Sequence, residues 1–417
     1  MSEKREILGQ WWLPTQPDEK WVGTLTLKPG KSPRLTVTIP KGFSQLPAQH
    51  TPPVLHGHDE HGKPITLLFP GSSGAHGGMA VSQINFTAGY AVLGIELADA
   101  AAFSVHELTL GVQHLHEWVG ISGFTRAEHN TPGESHIHYK CLEDQLFSIS
   151  PNLSVALHVA TSGRRSLSER VLREDTCLVF KAPSGLSLAL CNELITAVRH
   201  MLHFAVLSRV YPMRMTAVRN EHGYHLEERF IPHGIELWNS IIRERVESEF
   251  LDERWVFRFS DVQPRFAAFF ADWLKFCRDY QEALRCYSTT VYHRLPDSVE
   301  HLCLAQALEA YHGTKFGKKH FVVRIQDLAQ NLTRHVPGLV PNVESFAKEV
   351  LENRNYYTHH VPAIKQRGHV VSGARLFRLN EKLRLLFQMC ILTEMKIPAD
   401  RFLRLRRQLA TYIIDYI

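Results

Sequence analysis

The sequence lacks the features that mark several large classes of protein. No run of about 18 apolar residues occurs, so a transmembrane helix is not expected. The first residues are charged and no apolar run follows them, so we expect no signal peptide. The seven cysteines are scattered without a C-x-x-C pair, which argues for reduced thiols. We therefore expect a cytoplasmic protein without a membrane partner.

Common nucleotide-binding and serine-nucleophile motifs are missing as well. The chain has no P-loop, no G-x-G-x-x-G and no G-x-S-x-G, so nucleotide hydrolysis and serine chemistry lack support. Histidine is frequent, and three clusters have spacings that raise the question of zinc. A zinc site usually needs three or four ligands with supporting partners. The cluster His56/His58/His61 lies in a glycine-rich turn. We expect no metal and no cofactor. The clusters are His56/His58/His61, His114/His116 and His136/His138.

Length and composition fit a soluble globular protein of two domains, since the chain has 417 residues and is 44% hydrophobic. Its net charge of +5 is unevenly distributed. Residues 263–417 contain 23 Lys and Arg against 14 Asp and Glu, whereas the remainder contains 24 against 28. The C-terminal part is therefore the basic part, as expected of a surface that meets phosphates, although ordinary charge scatter on a solvated surface gives the same count.

The hydrophobic pattern changes along the chain. Up to about residue 262, short alternating or apolar stretches are separated by Gly and Pro turn signals, which predicts strands. One helical pattern interrupts them at 186–210. From residue 264 the apolar spacing is helical. We predict an α+β multidomain protein, with a β-rich domain 1–262 and an all-α helical bundle 263–417. The predicted strands are 21–27, 35–39, 65–69, 80–86, 102–110, 153–160 and 177–180, and the predicted C-terminal helices begin near residues 264, 297, 321, 342, 373 and 402.

The stretch 352–362 carries the most informative residues. It ends a predicted helix that Asn342 can cap, and Arg354 falls on the apolar stripe of that helix. A guanidinium on such a line is costly unless it is paired or lines a cleft. Asn355 and His359 share a second face at i and i+4 spacing. Pro362 disfavours helix at the preceding residue, so the two histidines lie at the helix end.

Arg354-Asn355-x-x-x-His359 resembles the R-x(4–6)-H motif of the HEPN ribonuclease superfamily. The same pattern also occurs at Arg219…His225 and Arg294…His301, but neither pair ends an apolar-periodic helix. An imidazole can move a proton at a ribose 2′-OH or at a leaving 5′-oxygen, and a guanidinium can hold the phosphate oxygens. Asn355 can orient His359 by a hydrogen bond. The alternative is that Arg354 is a structural ion-pair residue and His359 a helix C-cap.

A second resemblance lies near the N-terminus. The stretches 9–14, 23–25, 56–67 and 115–123 look like the N-terminal domain of ApeA-type anti-phage proteins, in which a mostly β domain precedes a HEPN domain. The stretch 306–312 also resembles the first HEPN helix of ApeA-like proteins. The resemblance implies metal-independent cleavage of host RNA, with tRNA as one candidate. It also implies 2′,3′-cyclic phosphate and 5′-OH products, a homodimer, and a phage-derived trigger that acts on the N-terminal domain.

Several further residues are candidates for supporting roles. Accessory roles at the active site are considered for Glu309, His312, Tyr357 and His360, the last being the alternative imidazole. RNA binding is considered for Lys315, Arg324, Arg401 and Arg404, with solvated faces as the alternative. Two other functions stay open. The helical domain could be an inactive module that dimerises or binds RNA, or it could partner a nucleotide-transferring enzyme.

Overall fold

The computed structural model describes residues 4–40, 52–77, 81–125, 138–165, 170–226, 229–244, 255–335, 340–366, 368–398 and 401. The chain divides into two compact units. The first unit comprises Met1–Arg199 and Val210–Glu249, and the second comprises His200–Arg209 and Phe250–Ile417. No described helix is both long and apolar enough to span a bilayer.

The first unit is built mainly from strands, with one short helix, α1 (Leu115–Val119), and most of α2 (Leu188–Val206). The described strands are β1 (Arg5–Leu13), β2 (Gln16–Leu27), β3 (Arg34–Pro40), β4 (Val54–Asp59), β5 (Pro64–Leu68), β6 (Gly71–Gly77), β7 (Val81–Thr87), β8 (Tyr90–Leu93), β9 (Ser104–Val112), β10 (Phe124–Thr125), β11 (His138–Tyr139), β12 (Gln145–Ser150), β13 (Leu153–Arg165), β14 (Arg170–Ser187), β15 (Pro212–Leu226) and β16 (Arg229–Trp238).

Fourteen of the described strands form one sheet, in the order β12-β13-β14-β9-β15-β16-β8-β5-β4-β1-β2-β3-β7-β6, and β10 pairs with β11 separately. Neighbouring strands pair antiparallel. β13 and β14, for example, pair from Ser154↔Lys181 to Arg165↔Arg170. Along β2, buried residues alternate with more exposed ones from Trp21 to Leu27, which is the period-2 pattern of a half-buried strand.

A tight cluster around Trp11 explains a glycine, Gly57, in one of the stretches that resemble ApeA. Trp11 is fully buried, and its indole N–H donates to the Gly23 carbonyl oxygen at 3.2 Å. Gly57 lies opposite Trp11 in the register of β1 and β4. A Cβ on Gly57 would come within 2.3 Å of the Trp11 ring, so only glycine fits beneath that ring. Gly57 thus permits the packing of Trp11.

The second unit is helical within its described residues. Its helices are the end of α2, α3 (Phe259–Val262), α4 (Phe266–Asp279), α5 (Gln281–Tyr292), α6 (Asp297–Phe316), α7 (Phe321–His335), α8 (Val343–His359), α9 (Pro362–Lys365) and α10 (Ala374–Glu394), with a 3-10 turn at Gln263–Arg265. Each longer helix buries one apolar stripe. On α6 the buried stripe includes Leu304, Leu308 and Tyr311, as the spacing predicts.

The β-rich first unit and the helical second unit confirm the predicted α+β class. The pattern placed α7, α8 and α10 within a few residues of their observed ends. α5 was missed. α6 begins at Asp297, as predicted, and its N-cap is Pro296, which offers no side-chain acceptor. The predicted helix from residue 402 lies outside the described residues.

Candidate active site

Helix α8 carries the Arg–Asn–His motif. Its N-terminus is capped as predicted, because the Asn342 side chain accepts a hydrogen bond from the Ser345 backbone N–H at 2.8 Å. Phe346 and Val350 are buried on its apolar stripe. The helix ends at His359, and His360 is the C-cap in the left-handed region, with φ 53°. The part of the alternative reading that made His359 the C-cap is therefore wrong.

Arg354 projects from α8 towards α6 and α7. Its Nη2 donates to Oε2 of Glu309 at 3.2 Å, and its guanidinium lies 5.0 Å from the centre of the Phe321 ring. The Arg354 side chain is 34% exposed and that of Glu309 is 30% exposed. A partly exposed pair of this kind contributes little to stability, since exposed ion pairs are worth about 0–1 kcal/mol. The contacts instead fix the direction of a guanidinium that water, or a ligand, still reaches.

Glu309 also receives contacts from a second arginine. Arg324 on α7 donates from Nη1 to the Glu309 carbonyl oxygen at 3.0 Å, and from Nε to the Lys319 carbonyl oxygen at 2.7 Å. Its Nη1 lies 3.8 Å from Oε1 of Glu309. Two of the five N–H donors of this guanidinium are therefore used inside the helical unit. An open groove adjoins it, lined by Gln306, Glu309, Ala310, Gly313, Thr314, Lys318 and Arg324.

His359 and Asn355 lie on the outer part of the helix end. His359 is exposed and Asn355 is half-buried. Within the described part of the chain, no hydrogen bond joins Asn355 to His359, and none joins His359 to Arg354. Arg354 is tied to its own helix through its carbonyl oxygen, which accepts from the Thr358 hydroxyl at 2.7 Å. One copy of the chain thus presents a fixed guanidinium and an unengaged imidazole, at different angles around α8.

Two neighbours of the motif hold the chain that follows it. Asn353 is fully buried; its side-chain amide donates to the His369 carbonyl oxygen at 2.9 Å and accepts from the Val371 N–H at 2.9 Å. The Tyr357 hydroxyl donates to the Val371 carbonyl oxygen at 2.6 Å. The accessory candidate Tyr357 therefore acts with Asn353 as a clamp. Asn353 was not singled out from the sequence, because spacing alone does not reveal that an asparagine is buried.

His312, the second accessory candidate on α6, forms a cluster separate from Arg354. His312 is fully buried and its Nε2 lies 3.0 Å from Oδ2 of Asp327, which also accepts from Lys319 at 2.7 Å. The hydrogen bond from Lys319 lowers the pKa of Asp327, and the one from His312 adds to this effect against the opposing influence of burial. Among the described residues, His312 forms no hydrogen bond or ion pair with Arg354 or His359. It supports the packing of α6 on α7.

The candidate RNA-binding residues that the structure describes have acidic partners inside the helical unit. Lys315 pairs with Glu394, and Arg401 pairs with Asp261 at 2.7 Å. Arg404 lies outside the described residues. Lys315 and Arg401 are thus engaged in ion pairs within the helical unit, as Arg324 is with Glu309.

The other histidines of interest have structural partners. His301, half of a competing Arg–His pair, is fully buried between Asn380 and the Val350 carbonyl oxygen. Burial lowers its pKa, outweighing the two hydrogen bonds, so it is neutral at pH 7. His56 lies 2.8 Å from the Leu97 carbonyl oxygen. Searching the described residues finds no group of three or more His, Cys, Asp or Glu placed to hold a metal ion. His136 falls outside them.

Comparison with known families decides the membership of this chain. The family model described as ApeA N-terminal domain 1 matches residues 6–273. The chain belongs to the ApeA family. A second model, Apea-like HEPN, matches residues 302–401 of this ApeA-family chain and spans Glu309, Arg354, Asn355 and His359. No curated protein and no solved structure matches.

The two matches confirm both resemblances. An ApeA N-terminal domain followed by a HEPN domain indicates an anti-phage effector of nuclease type. The Trp11–Gly57 cluster lies inside the first match, and α6, α7 and α8 lie inside or across the second. Of the stretches that carried the resemblance, 9–14, 23–25 and 56–67 contribute to strands β1, β2, β4 and β5, 115–123 contains α1, and 306–312 lies on α6.

Proposed function

We propose that this ApeA-family chain is an endoribonuclease effector of anti-phage defence. In this proposal the helical domain, residues 263–417, cuts host RNA and so stops growth during infection, with tRNA as one candidate substrate. The β-rich domain, residues 1–262, senses a phage-derived trigger and controls the nuclease. Arg354, Asn355 and His359 are the catalytic residues.

One observation carries the proposal: within the HEPN match, a guanidinium is fixed but accessible and an imidazole one turn further on is exposed. Arg354 is held by Glu309 and Phe321 while a third of its side chain stays exposed. His359 is exposed at the last position of α8. His359 differs in this respect from His301, which is fully buried between two hydrogen-bond partners.

The proposed chemistry uses the ribose itself as nucleophile. The 2′-oxygen attacks the adjacent phosphorus and the bond to the 5′-oxygen breaks, which leaves a 2′,3′-cyclic phosphate and a 5′-OH. His359 takes the proton from the 2′-OH or gives one to the leaving 5′-oxygen. Arg354 donates to the non-bridging oxygens as negative charge grows on them. Because the nucleophile is the 2′-OH, DNA is not cut. Asn355 orients His359 when substrate is bound.

The arrangement favours a site shared by two chains. Arg354 and His359 are separated by five positions, so their side chains leave α8 about 140° apart. The reaction needs a base and an acid, and the Arg–Asn–His motif itself supplies one imidazole, that of His359, because His360 serves as the helix cap. A two-fold axis beside α8 would bring two imidazoles and two guanidinia around one phosphate. A C2 homodimer is also the commonest oligomeric solution.

The deciding experiment is cleavage of total RNA by the purified full-length protein, with and without excess chelator. We expect cleavage that survives the chelator, 2′,3′-cyclic phosphate ends, and loss of cleavage in Arg354→Ala. Arg375→Ala is the matched control, since Arg375 is an exposed arginine that pairs loosely with Glu349, at 3.9 Å. Cleavage that requires one added divalent ion would overturn the metal-independent mechanism. Absence of cleavage, with dimerisation retained, would favour the inactive dimerisation or RNA-binding module.

A further inference from the structure

The chain that follows α8 returns to the helix it has just left. Asn353 and Tyr357 are one turn apart, and together they make three hydrogen bonds to the backbone of His369 and Val371, at 2.6–2.9 Å. The intervening segment therefore forms a loop closed at its base. Its described residues are 361–366 and 368, and it contains the short helix α9. A loop tethered in this way keeps its side chains near the end of α8.

The tether brings a lysine to the ring of Tyr356. The Nζ of Lys365 lies 6.0 Å from the centre of that ring, within reach of a cation–π interaction. The His360 ring meets Tyr356 edge-on at 5.7 Å, at an interplanar angle of 72°. Tyr356 is half-buried and Lys365 is exposed. The Tyr356 hydroxyl makes no hydrogen bond among the described residues, in contrast to Tyr357, whose hydroxyl is used by the clamp.

Tyr356 also borders the proposed catalytic imidazole. On an α-helix the nearest surface neighbours of a residue are those three and four positions before it. For His359 these are Tyr356 and Asn355. An accessible aromatic ring, an ammonium group and the imidazole thus occupy one side of the helix end. Neither Tyr356 nor Lys365 belongs to the Arg–Asn–His motif.

We propose that Tyr356 and Lys365 form a subsite for the nucleotide next to the cleaved bond. An unpaired base packs on the Tyr356 ring, and Lys365 contacts the phosphate of that nucleotide. Aromatic side chains recognise single-stranded RNA by such stacking, which is worth about 1–3 kcal/mol per base. The inference rests on the proposed ribonuclease function, and it restricts the substrate class to RNA that is unpaired beside the cleavage point, as in a loop.

The test uses the full-length protein and a short single-stranded oligoribonucleotide, with a second version that lacks the base beside the cleaved bond. Tyr356→Leu should raise KM about 5- to 150-fold with kcat largely kept, the range that follows from the stacking energy. It should also abolish the preference for the complete oligonucleotide over the abasic one. Tyr356→Phe keeps the ring and should rescue both properties. Thermal unfolding of each variant checks that the helix end is intact.

Lys365 is tested through salt dependence. Lys365→Gln should reduce the slope of log affinity against log salt by about 0.7, the value expected when one phosphate contact to a single strand is lost. Lys348→Gln removes an exposed lysine of α8 instead and is the control, with an unchanged slope. Equal slopes for both variants would overturn the role of Lys365.

A binding arm separates this proposal from the proposed function. Anisotropy with a 2′-deoxy oligonucleotide at the cleaved position measures binding without cleavage. If wild type binds but never cuts RNA, the ribonuclease proposal fails while the subsite is still tested by the Tyr356 and Lys365 variants. If wild type cuts RNA and Tyr356→Leu leaves KM, binding and abasic discrimination unchanged, the subsite is refuted alone. Failure of wild type to bind the oligonucleotide would refute the subsite as well.

Discussion

Arg354 Nη2 and Glu309 Oε2 lie 3.2 Å apart, so the arginine of the motif is held by a carboxylate from a different helix. The pair explains how the charged Arg354 is tolerated on the apolar stripe of α8. It leaves the guanidinium charged, directed and about one-third exposed. Glu309 is therefore a positioning residue in the proposed site. Its own negative charge would repel the phosphate if it lay unpaired beside it.

The first prediction concerns that pair. Glu309→Gln keeps the shape of the side chain but weakens the bond to Arg354, so the guanidinium loses its fixed direction. We expect kcat to fall about tenfold with a smaller change in KM, because small misplacements of a catalytic group are costly. Single-turnover cleavage of a labelled RNA measures this. Glu349→Gln, on α8 itself, is the control for a lost negative charge and should leave kcat unchanged.

The second prediction separates the two adjacent histidines. His359→Ala should abolish cleavage, whereas His360→Gly should keep most of it, because His360 serves as the left-handed C-cap. Glycine has no Cβ to strain that conformation, so His360→Gly should also raise the free energy of unfolding by about 0.5–1 kcal/mol. Cleavage assays and urea unfolding measure the two effects. If His360→Gly lost cleavage while His359→Ala kept it, the catalytic imidazole would be His360.

Sequence reasoning reached α8 because all of its signals are local. Asn342, the apolar spacing and Pro362 are read within one window, and the structure has the cap, stripe and end where they predict. Glu309 could be named as a candidate, but its bond to Arg354 spans 45 positions and no local pattern encodes it. Asn353 was missed for a related reason. Asn353 holds the loop after α8 because it is buried against that loop, and this burial depends on the tertiary structure.

In the first unit, the strands that were missed show a different limit. β15 and β16 contain Arg, Asn, Glu, His and Gly, so their alternation is weak. Their strand conformation comes from pairing with β9, β8 and each other in the large sheet. Context of this kind overrides local propensity. The glycines of the ApeA-like stretches can be read from the sequence. The packing of Gly57 against the Trp11 ring is shown only by the structure.

The third prediction tests the clamp. Tyr357→Phe removes one hydrogen bond and should lower the free energy of unfolding by about 1 kcal/mol. Asn353→Ala removes a buried amide that makes hydrogen bonds to two loop residues, and we expect a loss of roughly 3 kcal/mol, because the Val371 N–H is left buried without its acceptor. Hydrogen exchange at residues 369–371 reports the opening of the loop. Equal exchange in Asn353→Ala and wild type would contradict the clamp.

A fourth prediction follows from the buried His301. Burial lowers its pKa in the folded state below the usual value of about 6.5. The unfolded chain therefore takes up this proton first as pH falls. The contribution of His301 to stability is complete above about pH 6.5 and is lost below it, at up to about 1.4 kcal/mol per pH unit. In urea unfolding from pH 7.5 to 5.0, the free energy of unfolding should decrease less in His301→Gln than in wild type. Parallel curves would contradict the prediction.

The last prediction concerns the assembly of the active unit. If two copies share one site across a two-fold axis, an inactive subunit must damage the site of its active partner. We expect excess Arg354→Ala, His359→Ala double-mutant subunits, co-folded with wild type, to lower activity further than dilution alone. Each mixed dimer would retain one guanidinium and one imidazole where the proposed reaction uses two of each. The matched mixture uses Arg375→Ala subunits, which should leave activity per wild-type site unchanged. Activity that falls only in proportion to dilution, together with a monomeric mass by light scattering at assay concentrations, would refute the shared site and require the second proton carrier to come from the same chain.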